Sequence, residues 1–251
     1  MDAVTLYRAP TTEADADELA AWLDGRISAT VTVEDRLLGQ LSDDDALAEA
    51  FARSRVTSPY DRETGNEMLG IVRYEERALE RPERAGGVLY DGLAVQDALR
   101  TRLEAPLSHL QIPLLDRVLG TWGDHDGRWH KRVSVLGQPA LISVPGLYEA
   151  PAKPESYYQA KQSHALMSGG APPREVLESQ VEGDFLVAGD PRTTDCLKGY
   201  VLSAYHYLET GEAFCDDEDC RLYNAHRQPA LIRAQLREPE FCPEHAALYG
   251  E

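Results

Sequence analysis

The sequence predicts a mixed α/β fold of the α+β type, in which helices pack on a mixed β-sheet and C-terminal helices are joined by a metal site. Strand-like and helix-like segments alternate early in the chain, short β-like runs follow in the middle, and cysteines cluster near the end. Because the 251 residues contain no low-complexity linker, one domain is expected over residues 1–251. Within it, residues 193–251 would form a helical, metal-binding subregion.

The N-terminal part is predicted to fold as strand, helix, strand and helix. The first pair is "AVTLYRA" and "EADADELAAWLDGR", and the helix has Leu19, Trp22 and Leu23 on one face. The second pair is "SATVTVEDR" and "DDALAEAFARSR", with Ser42 placed to cap the helix. Residues 56–67 are predicted to be a loop, because they combine Ser-Pro, Asp and Gly.

The middle of the chain is rich in β-like segments. A short strand in "GGVLYDG" and a helix in "LAVQDALRTRL" precede four runs: "HLQIPLLD", "RVLGTW", "RVSVLG" and "PALISV". Between the second and third runs, "GDHDGRWH" contains an Asp-Gly pair, which indicates a hairpin or a longer excursion.

The C-terminal part is predicted to be helical. One helix is expected in "PESYYQAKQSHALMS", and another begins at Pro173. The most regular helix covers residues 193–208 and ends at Gly211; its apolar stripe consists of Leu197, Tyr200, Val201, Ala204 and Leu208.

The charge balance is strongly acidic. Asp and Glu number 43 against 25 Lys and Arg, which gives a net charge of -18, and only four of the basic residues are lysines. Such a surface keeps a protein dispersed where salt screens the repulsion, so a halophilic, archaeal source is expected; the alternative is an ordinary acidic protein that favours arginine. A basic footprint for nucleic acid is missing, so no direct nucleic-acid contact is expected.

The sequence also bears on localisation. The N-terminus lacks a basic region followed by an apolar one, so no signal peptide is predicted. No stretch approaches the roughly 20 apolar residues that span a bilayer. A cytoplasmic protein without a membrane partner is therefore expected.

Three of the four cysteines and one histidine form a cluster near the end of the chain. The spacing is Cys-x4-Cys, 21 residues, then Cys-x2-His: Cys215, Cys220, Cys242 and His245. Two close pairs joined by a longer segment can supply the four ligands of a tetrahedral structural zinc site, and "LYNAHRQPALIRAQL" between them is predicted to be helical. His226 competes with His245 as the fourth ligand. The alternative is three small buried cysteines and a surface histidine.

This pattern resembles the archaemetzincins. In that family a zinc-protease helix, His-Glu-x-x-His-x-x-Gly-x-x-His, runs into Cys-x4-Cys-x-Met and then Cys-x-x-Cys. Here His245 replaces the last cysteine, Leu222 replaces the methionine, and Gly211 matches the glycine. The resemblance covers residues 193–251 closely and implies a metzincin-like fold. The chain is also identified as a member of an uncharacterised haloarchaeal group of metallopeptidase-like proteins.

The catalytic part of the family's motif does not carry over to this chain. The zinc-ligand positions hold Ala204, Leu208 and Phe214, the general-base position holds Tyr205, and no His-Glu-x-x-His occurs anywhere. The resemblance therefore implies a relative that keeps a structural zinc site and has lost the catalytic one. His206, in the same helix, is predicted to face solvent, because it lies about 180° from Leu197.

A second set of polar and aromatic residues lies in "WGDHDGRWHK". Two histidines and two aspartates there could bind a divalent metal or act as acid and base, and the whole segment could form a ligand platform. The alternative is a solvated turn whose tryptophans pack on the sheet. The residues are Trp122, Asp124, His125, Asp126, Trp129 and His130.

Three functions of different classes follow from these features. The first is a non-catalytic zinc protein that binds a peptide or protein partner, because a metzincin-type sheet exposes an edge strand beside its cleft. The second is a metallopeptidase or other metallohydrolase with unrecognised ligands, drawn from His125, His130, His164 and nearby acids. The third is a zinc module in a nucleic-acid complex.

Overall fold

The computed structural model describes residues 1–11, 13–41, 45–65, 67–82, 86–103, 105–170 and 172–250. The strands are β1 (Ala3–Tyr7), β2 (Thr30–Glu34), β3 (Leu89–Asp91), β4 (His109–Leu115), β5 (Val118–Gly123), β6 (Arg128–Arg132), β7 (Ser134–Val135) and β8 (Leu141–Ser143). The helices are α1 (Ala16–Asp24), α2 (Leu37–Gln40), α3 (Asp45–Arg53), α4 (Leu69–Glu80), α5 (Gly92–Arg100), α6 (Gly146–Glu149), α7 (Glu155–Ser168), α8 (Arg174–Gln180), α9 (Thr193–Thr210), α10 (Gln228–Leu236) and α11 (Pro243–Tyr249).

The strands form two sheets. The larger has the order β2-β1-β4-β8-β7, with parallel pairs up to β8 and the antiparallel strand β7 at its edge. The smaller has the order β3-β5-β6, in which β3 and β5 are parallel and β5 and β6 form an antiparallel hairpin. The predicted mixed α/β fold is confirmed.

Helices cover both faces of the larger sheet. Because side chains alternate along a strand, β1 directs Val4 and Leu6 into one core cluster and Tyr7 into another. The first cluster includes residues of α1, α9 and α10, and the second includes residues of α3, α4 and α5. Helix α9 contacts α1, α10, α6 and β4, so it lies at the centre of the first cluster.

Most predicted elements occur close to their expected positions. The hairpin prediction is confirmed, but the return strand β6 begins at Arg128, so Trp129 and His130 lie in a strand. Gly211 ends α9 in the left-handed conformation, with φ of 82°. Ser42, predicted to cap a helix, lies outside the described residues.

The helix α4 was not predicted from the sequence. Its buried face contains a carboxylate, Glu75, beside Ala78 and Leu79, which interrupts the apolar pattern. Glu75 accepts hydrogen bonds from the Tyr90 hydroxyl at 3.0 and 3.1 Å and lies 3.3 Å from the Arg55 guanidinium. A buried charge is stabilised here by partners from other segments, so the periodicity of apolar residues within one segment does not predict it.

None of the described helices has the length and apolar character needed to cross a membrane.

Candidate metal centre

Three thiols and one imidazole converge near the C-terminus. Cys242 Sγ lies 3.1 Å and Cys220 Sγ lies 3.7 Å from His245 Nδ1, and Cys215 Sγ lies 3.9 Å from Cys242 Sγ. All four ligand atoms fall within 4.8 Å of one another. Ligand atoms at zinc–ligand bond lengths in a tetrahedron are roughly 3.5 to 3.8 Å apart, so this spacing suits one zinc ion.

Local backbone structure places the first pair of thiols. The segment from Cys215 to Tyr223 doubles back on itself, because Cys215 N–H donates to Leu222 O at 2.9 Å and Cys220 N–H donates to Asp217 O at 3.0 Å. Asp217 N–H also donates to Cys215 Sγ at 3.4 Å. The four-residue spacing therefore forms a closed turn with both thiols on one side.

The second pair lies at the start of α11. Cys242 is the N-cap residue, Pro243 follows as the first helical residue, and Cys242 O accepts the Ala246 N–H at 2.8 Å. His245 is thus one helical turn from Cys242. The structure brings His245 to the thiols, whereas His226 is exposed outside the cluster, and Cys196 is buried in the core as expected.

One of the acidic residues between the first two cysteines, Asp219, is paired with arginines. Asp219 Oδ1 accepts from Arg233 Nε at 2.6 Å, and Asp219 also pairs with Arg237. Burial raises the pKa of the Cys215 thiol to about 12 and also raises the pKa of Cys220. The raised pKa values favour the protonated thiols, and a bound cation would instead favour the thiolates, because metal coordination deprotonates a thiol.

A network of largely buried charges lies beside the segments that carry the cluster. Glu240 Oε1 accepts from Arg221 Nη2 and Glu240 Oε2 accepts from Arg26 Nη2, both at 2.8 Å. Arg221 also donates to Asp195 O at 2.9 Å, which joins the turn after Cys220 to α9. The network thus connects α1, α9 and the segments that carry both cysteine pairs.

A close approach at Gly199 brings α9 against the same turn. A Cβ at this position would lie 2.5 Å from Arg221 O and 2.3 Å from Gln235 Oε1, and Gln235 Nε2 donates to Arg221 O at 2.8 Å. Only glycine allows the backbone of α9 to pass the residue after Cys220 at this distance.

We expect Gly199→Ala to destabilise the protein, although Gly→Ala inside a helix ordinarily stabilises it by about 1 kcal/mol. The new Cβ would overlap a backbone oxygen that cannot move without shifting Cys220, so a loss of about 2 kcal/mol is expected. Chemical denaturation measures the change. Gly70→Ala in α4, where nothing lies within 4 Å of the added Cβ, is the matched control; equal effects of the two substitutions would contradict the packing argument.

The prediction that His206 faces solvent is wrong. Its relative exposure is 2%, its Nδ1 lies 2.8 Å from the Tyr249 hydroxyl, and its ring packs edge-on against His245 at 5.1 Å. Helix α11 covers the side of α9 opposite the apolar stripe, so α9 is buried on both sides. Burial lowers the pKa of His206, and its Nε2 has no hydrogen-bond partner among the described residues.

The positions expected to have lost a catalytic metal contain no ligand group. Ala204 and Tyr205 are buried, and Leu208 and Phe214 are partly buried. In the part of the chain that the structure describes, three or more metal-ligating side chains converge in two places: the cysteine cluster and His125, Asp126 and His130. His164 instead hydrogen-bonds Gln180 Oε1 at 2.9 Å.

A cavity of about 330 Å³ lies between α9 and the edges of both sheets. One wall is the segment from His130 to Ser134, where β6 leads into β7. Tyr200, Phe214, Asn224 and His226 contribute to the other walls. The segment between β6 and β7 thus lines one cleft together with Tyr200 and Phe214, an arrangement that sequence periodicity does not reveal.

The structure separates the six residues singled out in the hairpin. Trp122 and Trp129 form an edge-to-face pair at 5.8 Å, and Trp129 Nε1 donates to Asp61 O at 2.7 Å. Asp124 is turned away and accepts from Arg62 at 3.2 Å. The tryptophans therefore pack on the fold.

The other three hairpin residues lie close together. Asp126 Oδ1 lies 2.9 Å from His130 Nε2 and 3.7 Å from His125 Nε2, and the two imidazoles stack at 5.7 Å. The hydrogen bond with His130 lowers the pKa of Asp126 to about 2. A carboxylate flanked by two imidazoles is a ligand set that divalent transition metals accept.

Comparisons with known proteins give one family match. The sequence profile described as a family of unknown function (DUF7001) matches residues 5–248. No curated protein matches the chain. Two solved structures are similar at 13% identity: archaemetzincin from Methanopyrus kandleri, with a TM-score of 0.45, and a zinc-dependent peptidase from Methanocorpusculum labreanum, with a TM-score of 0.44. Each match covers 98% of this chain, with 93% of the first structure and 98% of the second. Likeness of this size assigns no activity to this chain.

Proposed function

The chain belongs to the family of unknown function DUF7001, and we propose that this chain is a zinc-stabilised protein that binds an extended peptide or protein segment without cleaving it. The zinc would be structural, held by Cys215, Cys220, Cys242 and His245. The observation that carries the binding role is the edge strand β7 of the larger sheet, whose Ser134 lines the same cleft as Tyr200 and Phe214.

The structural role of the metal is supported by the ligand set. Three thiolates and one imidazole fill all four positions of a tetrahedral ion, which leaves no open position for water or substrate. The ligands come from a turn after α9 and from the start of α11, so the ion would join two segments that are distant in the sequence.

The absence of peptide cleavage is supported by two residues at the positions that match the archaemetzincin motif. Phe214, at one of the positions where the archaemetzincin motif has a zinc ligand, lines the cavity with a hydrocarbon ring. Tyr205, at the general-base position, has a hydroxyl in place of a carboxylate and is buried. Neither side chain can hold a catalytic zinc or activate water as a carboxylate does.

The binding role is supported by the direction of the backbone groups in β7. Val133 O accepts the Ser143 N–H of the neighbouring segment at 2.7 Å. Since these groups alternate along a strand, the N–H and C=O of Ser134 point away from β8, and Ser134 lines the cleft. An extended peptide could add there as a further strand.

The setting we propose is the cytoplasm of a halophilic archaeon. The net charge of -18 and the four lysines support it, because such a surface repels itself less when salt screens its charges. Experiments on binding and stability are therefore best repeated from low to molar potassium chloride.

Peptide addition is tested by removing one N–H from the edge. We expect Ser134→Pro to weaken the binding of extended peptides about tenfold, since proline cannot donate at an edge strand. Ser134→Ala keeps the N–H and is the matched control. Fluorescence anisotropy measures binding, and mass spectrometry of the recovered peptide measures cleavage. Cleaved peptide, or equal binding by the proline and alanine variants when both are folded, would overturn the proposal.

A second candidate function is favoured by the hairpin cluster. His125, Asp126 and His130 converge at the rim of the cleft, and His130 lines it. An exchangeable divalent metal there would retain open coordination positions, as hydrolytic metals do. This reading predicts a second, labile metal and peptide cleavage that both disappear in His125→Ala, with the cysteine-bound metal unchanged.

A further inference from the structure

Basic side chains are concentrated around the cleft. The cavity described above adjoins another, of about 380 Å³, and the two share Lys131 and Pro151. The described residues that line these two cavities, here called the basic groove, include five Lys or Arg and one acid: Lys131, Arg132, Lys153, Lys161, Arg174 and Glu149. The whole chain has the opposite balance, with 43 acids and 25 basic residues.

Lysine is the clearest part of this concentration. The chain has four lysines, and Lys131, Lys153 and Lys161 all line the second cavity. The fourth, Lys198, lies on α9 and pairs with Glu18 and Asp195. Three of the four lysines of the chain therefore lie around one cavity.

Some of these cations are already neutralised within the protein. The Lys153 side chain is 7% exposed and donates to Glu178 at 2.8 Å, while Glu149 pairs with both Lys131 and Arg174. Lys131, Glu149, Lys153 and Arg174 of these pairs line the second cavity. Including Glu178 as a second acid, the groove keeps a net positive charge.

Two cations have no acidic partner. Arg132 donates to Thr121 through Nε at 2.8 Å, and Lys161 is exposed on α7; among the described residues neither forms an ion pair. Arg132 lines the first cavity and Lys161 the second, while Lys131 lines both. A ligand that crosses both cavities would therefore meet two unpaired positive charges.

We infer that the basic groove binds an acidic peptide segment, which pairs with the edge at Ser134 and places its carboxylates against Arg132 and Lys161. The inference rests on the proposed peptide-binding function and adds the chemistry of the ligand. Tyr148, Tyr157 and Tyr158 line the second cavity and supply apolar surface between the charges. Complementary charge of this kind selects among partners more than it adds affinity.

A peptide fits the charge distribution better than a nucleic acid does. A nucleic acid is a long polyanion that would continue beyond the groove onto a protein of net charge -18. A short acidic segment ends within the groove. In molar salt the Debye length is about 3 Å, so only carboxylates in direct contact with the cations would still contribute.

The test compares two labelled peptides of equal length, one of alternating glutamate and valine and one of alternating glutamine and valine. We expect the wild-type protein to bind the glutamate peptide about tenfold more tightly at moderate salt. Lys161→Gln should weaken binding of the glutamate peptide about threefold and leave the glutamine peptide unchanged. Arg73→Gln, an exposed arginine on α4 that lines neither cavity, should change neither.

The outcomes separate this inference from the function on which it rests. Equal binding of the two peptides, still lost in Ser134→Pro, would overturn the acidic ligand and keep peptide binding. Binding of neither peptide to the folded protein would overturn both. A single-stranded oligonucleotide that displaces the glutamate peptide at lower concentration than the unlabelled peptide would overturn the choice of a peptide ligand.

Discussion

We expect Cys220→Ser to abolish tight zinc binding and to lower the free energy of unfolding by several kcal/mol. Cys220 is fully buried, and its Sγ lies 3.7 Å from His245 Nδ1, so serine would leave three ligands and a hard oxygen in a site built for soft donors. Metal-binding free energy contributes directly to folding in such sites. Elemental analysis measures the metal, and chemical denaturation measures the stability.

The matched control for this prediction is Cys196→Ser. Cys196 is equally buried, in the core rather than in the cluster, and burial raises the pKa of its thiol to about 12. The control should keep its zinc and lose only about 1 to 2 kcal/mol, the cost of placing a hydroxyl in an apolar site. Equal metal content in the two variants would contradict the assignment of Cys220 as a ligand.

We expect Glu240→Gln to lower the free energy of unfolding by about 3 kcal/mol, because it leaves the guanidinium groups of Arg221 and Arg26 buried without an acidic partner. Both lie 2.8 Å from the Glu240 carboxylate, and the side chain of Arg221 is 5% exposed. For a chain of this length, the unfolding midpoint should fall by roughly 10 °C. Thermal unfolding followed by circular dichroism measures the shift.

This substitution also separates the charge network from the metal site. The zinc content should remain at one ion per chain, since Glu240 is not a ligand. Glu238→Gln, on the same loop but exposed and without an ion pair among the described residues, is the control and should change stability by less than about 0.5 kcal/mol. A midpoint that falls equally in both variants would show that the network contributes nothing specific.

The convergence of the three thiols and His245 could be predicted from sequence because its geometry is local. Cys215 and Cys220 share one closed turn, and Cys242 and His245 share the first turn of α11, so each pair is fixed by its own spacing. His245 forms a close pair with Cys242 in the sequence, whereas His226 forms no such pair, and the structure groups His245 with the thiols. The apolar stripe of α9 and its end at Gly211 are also local signals.

Features that depend on distant segments could not be predicted. The helical periodicity of α9 predicts an exposed His206, because it contains no information about other helices. In the structure, Tyr249 and His245 of α11 cover His206. The helix α4 could not be predicted because Glu75 interrupts its apolar face, and the partners of Glu75, Tyr90 and Arg55, come from other parts of the chain. The basic groove is the strongest case, since its cations are spread between residues 131 and 174 and meet only in the fold.

The most direct test of this account is the zinc content per chain of wild-type protein purified in molar potassium chloride without chelator. Elemental analysis is made before and after brief exposure to a weak chelator. The account predicts one zinc per chain that survives this treatment, because four ligands enclose it. Protein that is folded without zinc, or that loses its only zinc at once, would contradict the structural site. A second, labile metal would contradict the absence of catalysis and direct attention to His125, Asp126 and His130.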